Sequence, residues 1–203
     1  DLLTLEEMNN SPFPYYDESI YDKYFDGNPI PMNQLSPQAH ILTSRGCPFK
    51  CIFCVWPATM TGNDPDGENK RTVRQYSADY IKGFLDKLTS DYKFEAIYFD
   101  DDTFNIGNKH TVEISKVAGK YNIPWFAMCR ADTCTKENWK IMRDNGCKGV
   151  KIGIESGSQY VVDKIVNKHL DLNYTNQLVD HLRSLNMSVL SLIHISEPTR
   201  LHG

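Results

Sequence analysis

At 203 residues, with 40% hydrophobic and 24% charged content, the chain has enough apolar material for one domain with a sizeable core and too much for a disordered polymer. Its formal net charge of -4 gives no electrostatic case for nucleic acid, which usually meets a basic patch or stripe. No hydrophobic run long enough to span a membrane is present. Six cysteines without secretory character in the first residues point to a reducing compartment, by default the cytoplasm, rather than to a disulfide framework.

Because the chain opens on Asp1 rather than methionine, it reads as a piece of a longer protein. Residues 1–38 form a lead-in segment, with prolines at 12, 14, 29, 31 and 37 that break helices and extend the backbone before them. Its aromatic residues Phe13, Tyr15, Tyr16, Tyr21, Tyr24 and Phe25 are expected to pack against the outside of the core. The apolar run Ala39 to Ser44 predicts a buried strand that hands directly, through Arg45 and Gly46, to a cysteine-rich loop. Between Trp56 and Gln75, the stretch Gly62-Asn63-Asp64-Pro65-Asp66-Gly67 signals a loop, with Lys70, Arg71 and Arg74 in a solvated basic turn.

Ser77 is a good N-cap, and apolar residues at Ile81, Phe84, Leu85 and Leu88 predict an amphipathic helix behind it. Further strands are predicted over 94–99, 124–129, 149–154 and from Met187. Helices over 109–121, 136–145, 159–167 and 175–185 alternate with them. Such alternation makes the fold α/β with parallel pairing. Five strands are too few for a closed eight-stranded barrel.

Cys47, Cys51 and Cys54 stand in the spacing C-x3-C-x2-C. Thiolates are soft ligands suited to zinc or to iron–sulfur centres. A complete structural site wants four ligands, yet Cys129, Cys134 and Cys147 lie far along the chain and the nearest upstream histidine is His40. Three thiolates therefore leave one position open, as catalytic metal sites do. A zinc knuckle would want a second ligand pair, and three cysteines cannot pair off as disulfides. Cys129 and Cys147 read as small buried apolar residues.

With Phe53 as the aromatic residue before the third cysteine, the spacing resembles the signature of the radical S-adenosylmethionine (radical SAM) enzymes. The wider run from Thr43 to Pro57 is similar to the subgroup that usually carries a cobalamin-binding domain upstream, and the resemblance covers roughly 12–187. It implies a partial (β/α)6 TIM-like barrel, truncated at the C-terminus, with 39–189 as its core and the cobalamin domain lying before Asp1. It also implies that Cys47, Cys51 and Cys54 hold a [4Fe-4S] cluster whose open iron chelates the amino and carboxylate groups of S-adenosylmethionine. Electron donation then cleaves the sulfonium and starts radical chemistry.

Cobalamin-dependent methyl transfer or ring formation on a small molecule, lipid or tetrapyrrole would follow, with flavodoxin or ferredoxin as electron donor. The alternatives are a methylthiotransferase, which would want a further cluster domain and a basic RNA-binding module, and a structural zinc- or iron-binding module.

Reacting groups in parallel barrels gather at the C-terminal strand ends. There the sequence places Asp100, Asp101 and Asp102, then Arg130 and Asp132, then Glu155. Alternation along the strands puts Gly153 and Glu155 on the inner face, opposite Ile152 and Ile154, and likewise groups Met128 with Arg130 and Tyr98 with Asp100 and Asp102. By the resemblance, Phe53 lies against adenine and Asp101 and Asp102 accept from the ammonium. Arg130 forks to the carboxylate, and Glu155 accepts from the ribose hydroxyls. Helix capping or loop solvation is the competing role for each acid, and Ser156-Gly157-Ser158 is either a close-approach turn or a plain one. Leu190 to Arg200 resembles translated sequencing adapter, so 190–203 reads as a non-native tail in which His194 carries no function.

Overall fold

A computed structural model describes residues 2–24, 35–54 and 73–192. Phe25, the loop with Lys70 and Arg71, and His194 lie outside the described residues. The strands are β1 (Gln38–Ile41), β2 (Ser44–Arg45), β3 (Arg74–Gln75), β4 (Ala96–Phe99), β5 (Trp125–Cys129), β6 (Cys147–Gly153) and β7 (Ser188–Leu192). The helices are α1 (Leu5–Asn9), α2 (Ala78–Asp91), α3 (Asn108–Ala118), α4 (Lys136–Asp144) and α5 (Leu172–Ser184).

Parallel strands need crossovers, and α2 to α5 supply one before each of β4 to β7. The result is a five-stranded sheet in the order β1-β4-β5-β6-β7, parallel throughout. This bears out the α/β, partial-barrel expectation: β1 and β7 stand at the two edges, and no closed barrel forms among the described residues. The outer faces of the strands carry Ile97, Phe99, Trp125, Ala127, Val150 and Ile152, which join apolar side chains of α2 to α5 in one core. The inner face carries the smaller cluster of Ala96, Tyr98 and Phe126, with Met128 against it. Side-chain parity thus follows the predicted alternation.

Several boundaries shift for identifiable reasons. Ser77 caps α2 by accepting from the Tyr80 N–H at 3.1 Å, as predicted. Asp171 does the same for α5 through Tyr174, so that helix starts three residues before the predicted one. The helix predicted over 159–167 is present over 159–165, with Val161–Ile165 wound as a π turn, and positive φ at Asn167 and His169 follows it. β7 runs to Leu192, beyond the core boundary suggested at 189.

The predicted first strand is in fact broken. β1 stops at Ile41, and Ser44–Arg45 leaves the sheet to pair antiparallel with Arg74–Gln75. Arg74 is accordingly in a strand rather than a basic turn, its guanidinium donating to the Leu3 carbonyl at 2.8 Å. The lead-in packs outside the core as expected: Phe13 stacks on Phe84 with ring centroids 5.3 Å apart, and the Tyr16 hydroxyl donates to the His40 carbonyl at 2.9 Å. Tyr15 is exposed.

Candidate active site

The break at Thr43 is what aims the cysteine loop. Asp101, directly after β4, accepts at one oxygen from the Thr43 N–H (2.9 Å), the Thr43 hydroxyl (3.0 Å) and the Ser44 hydroxyl (2.6 Å). This carboxylate pulls the chain out of the sheet. Burial pushes the Asp101 carboxyl up to about 6 even against those donors. Behind Thr43 lies buried His110, whose Nε2 is 3.2 Å from the Thr43 hydroxyl; burial pushes this imidazole down to about 4. The next acid, Asp102, accepts from the Gly46 N–H at 3.0 Å. Gly46 has φ +92°, a left-handed conformation that glycine adopts without Cβ strain, and the turn delivers Cys47. The Cys47 sulfur then lies 3.8 Å from the Thr103 hydroxyl.

The far wall is built from the ends of β5 and β6. Asn105 clamps the Arg130 backbone from both sides, accepting from its N–H at 2.9 Å and donating to its carbonyl at 2.8 Å. The buried Arg130 guanidinium forks onto Asp132 at 2.6 and 3.0 Å and lies 3.8 Å from the Phe49 ring centroid. Glu155, buried with φ +72°, accepts from the Lys168 ammonium at 2.7 Å. A Cβ at Gly153 would sit 2.5 Å from that carboxylate and 2.6 Å from that ammonium, so both side-chain ends would have to shift to admit it.

These walls enclose a cavity of about 550 Å³ at the mouth of the sheet. Cys47, Cys51 and Cys54, all half-buried, line it together with Phe53, Asp102, Arg130 and Glu155. Burial pushes the Cys51 thiol up, while Lys168 and Arg130 pull it down. Two assignments need correcting. Asp101 is not among the cavity-lining residues; its carboxylate is committed to Thr43 and Ser44. Arg130 does line the cavity, but its fork is spent on Asp132 rather than presented to a ligand.

Nothing in the sequence pointed to Asn105 or Lys168, and its alternation placed Gly153 beside Glu155 on the inner face without showing that the glycine makes room for an ion pair. Asn105 and Lys168 each act through a partner distant in the chain, Arg130 and Glu155, so no local pattern announces them.

Among the described residues no three His, Cys, Asp or Glu side chains converge as on a single metal ion. A cubane cluster does not require that convergence, because each thiolate holds a different iron. Three cysteines lining one cavity, together with Arg130 and Lys168, are a donor set that fits an anionic [4Fe-4S] centre with one iron open.

A half-barrel of parallel strands with three cysteines at its mouth defines a cluster-binding α/β protein. The chain belongs to the radical SAM superfamily, whose family model matches residues 41–196. It is 32% identical to an uncharacterized methyltransferase of Pyrococcus horikoshii, over 79% of this chain and 32% of that protein. It is 27% identical to the cytidylyl-2-hydroxyethylphosphonate methyltransferase of Streptomyces wedmorensis, over 95% of this chain and 35% of that one. The chain thus spans about a third of the length of these relatives. Its fold matches the solved structure of the radical S-adenosylmethionine methyltransferase TsrM from Kitasatospora setae with cobalamin and a [4Fe-4S] cluster bound. That match has a TM-score of 0.62 at 16% identity, covering 83% of this chain and 34% of that one.

Proposed function

We propose that residues 39–189 form the S-adenosylmethionine-cleaving core of a radical methyltransferase acting on a small molecule, with 1–38 as its lead-in. The observation that carries this reading is that Cys47, Cys51 and Cys54 share one cavity with Phe53, Asp102, Arg130 and Glu155 at the C-terminal mouth of a parallel sheet. A [4Fe-4S] cluster held by the three cysteines would supply the electron that breaks the sulfonium and an open iron for the amino and carboxylate groups. Asp102 offers a carboxylate to the ammonium, and Arg130 contributes positive charge rather than a free fork. Phe53, 43% exposed, offers a ring face to adenine, and Glu155 accepts from the ribose.

The relatives' methyltransferase names and the cobalamin in the TsrM structure support methyl transfer with cobalamin bound by a domain outside these residues. Electrons would come from a flavodoxin- or ferredoxin-like donor in a reducing, cytoplasmic compartment. No helix of the described residues is long and apolar enough to cross a membrane.

The test is anaerobic reconstitution with iron and sulfide, dithionite reduction, and chromatography for 5′-deoxyadenosine from added S-adenosylmethionine. The wild-type protein is expected to give product and Cys54→Ala none. A protein that rejects iron and retains zinc instead overturns the reading.

A further inference from the structure

The cysteine loop is fastened on two sides, one of them the β4 side, through Asp101 and Asp102. On the other side the Ile52 N–H donates to the Val166 carbonyl at 2.9 Å, and the Asn167 side-chain amide donates to the Lys50 carbonyl, also at 2.9 Å. The peptide units flanking Cys51 are therefore held by two consecutive residues. The third, Lys168, gives its ammonium to Glu155, and its carbonyl accepts from the Arg130 guanidinium. Residues 166–168 thus tie the loop around the middle cysteine to both charged groups of the opposite wall. Asn167 sits at φ +58°, in the left-handed region that asparagine tolerates better than most residues.

We propose that Asn167 is a positioning residue for Cys51: its amide clasps the loop at Lys50 and fixes where the middle thiolate stands relative to the Lys168–Glu155 pair. The proposal deepens the functional reading above and rests on it where a bound cluster is concerned. The clasp itself is a property of this chain alone. The two ends of the Asn167 amide have separate partners, its nitrogen the Lys50 carbonyl and its oxygen the His169 ring, whose Nε2 is 2.8 Å away, so the donor can be removed by itself.

Asn167→Gly keeps the left-handed backbone and removes the amide. Asn167→Asp keeps the side-chain shape and sets a carboxylate oxygen, with no donor, against the Lys50 carbonyl. Asn122→Gly, at another left-handed asparagine, with φ +54°, is the control. The first readout is iodoacetamide labelling of Cys51 before reconstitution, followed by mass spectrometry with buried Cys147 as internal reference. Both Asn167 variants are expected to label Cys51 about two- to tenfold faster than wild type, the opening that loss of one hydrogen bond gives. A wild-type rate in Asn167→Gly overturns the proposal, because the position is then needed only for its backbone.

The second readout is the electron paramagnetic resonance spectrum of the reduced, reconstituted protein, together with its rate of iron loss to a chelator. Altered spectra and faster loss in both Asn167 variants, but not in Asn122→Gly, support positioning. Unchanged spectra and rates overturn it. If no protein, wild type included, takes up a cluster, the functional reading fails while the labelling comparison still decides the clasp.

Discussion

A methyl group at Gly153 would meet both ends of the Lys168–Glu155 pair, which makes Gly153→Ala a direct perturbation of it. Gly153 lies in the regular backbone of β6, so alanine brings no conformational strain; by intrinsic preference alone it would stabilise the strand by roughly 0.5–1 kcal/mol. The added Cβ, however, meets Glu155 Oε1 at 2.5 Å and Lys168 Nζ at 2.6 Å, and ordinary van der Waals contact begins at 3.4 Å. Both side chains must retreat by close to an ångström, although their relative exposures are only 5% and 10%. Removing one partner of a buried pair outright costs about 3–5 kcal/mol. Displacing both while keeping them near each other falls short of that; overpacking typically costs about 1–3 kcal/mol, and subtracting the strand preference leaves a net loss of about 0.5–2 kcal/mol. Equilibrium urea unfolding reads it as a lower midpoint at unchanged slope. Gly157→Ala, where the new methyl meets nothing within 4 Å, serves as the reference. A Gly153→Ala protein as stable as Gly157→Ala would refute the claim that the glycine makes room for the pair.

The two buried groups around Thr43 tilt stability in opposite directions with pH. The Asp101 carboxyl is raised from 3.8 to about 6, so the folded state holds the extra proton and its contribution falls as pH rises through that window. The His110 imidazole is lowered from 6.5 to about 4, so its contribution rises with pH across nearly the same range. Urea midpoints from pH 4 to 7 should therefore show Asp101→Asn losing stability on acidification relative to wild type, and His110→Gln gaining it. Parallel profiles for both variants would contradict the assignment. Arg130→Lys keeps the charge but loses the fork to Asp132 and the stacking on Phe49. Its urea midpoint should fall by an amount equivalent to about 1–3 kcal/mol, and no change would show that the fork contributes nothing.

The features legible in the sequence were those with a local signature. Cysteine spacing placed the loop, and the two-residue period of a strand placed Glu155 and Arg130 on the inner face. The features that were not legible depend on partners far apart in the chain. Ala39 to Ser44 reads as one strand because its apolar run is continuous; what breaks it is Asp101, 58 residues away from Thr43. The same long-range bonds decide which of two adjacent acids meets the cavity, and Asp102 rather than Asp101 does. Lys168 sits beyond a π turn that helical periodicity reads as ordinary helix, so nothing local announces that it reaches back to Glu155.

The central claim is that three cysteines, and not the other three, hold an iron–sulfur cluster in this cavity. Iron and sulfide analysis of the anaerobically reconstituted protein tests it most directly, with serine placed singly at each of the six cysteines. Cys47→Ser, Cys51→Ser and Cys54→Ser are each expected to lose the cluster, whereas Cys129→Ser, Cys134→Ser and Cys147→Ser retain it. Loss of iron in Cys129→Ser, with retention in Cys54→Ser, would contradict it.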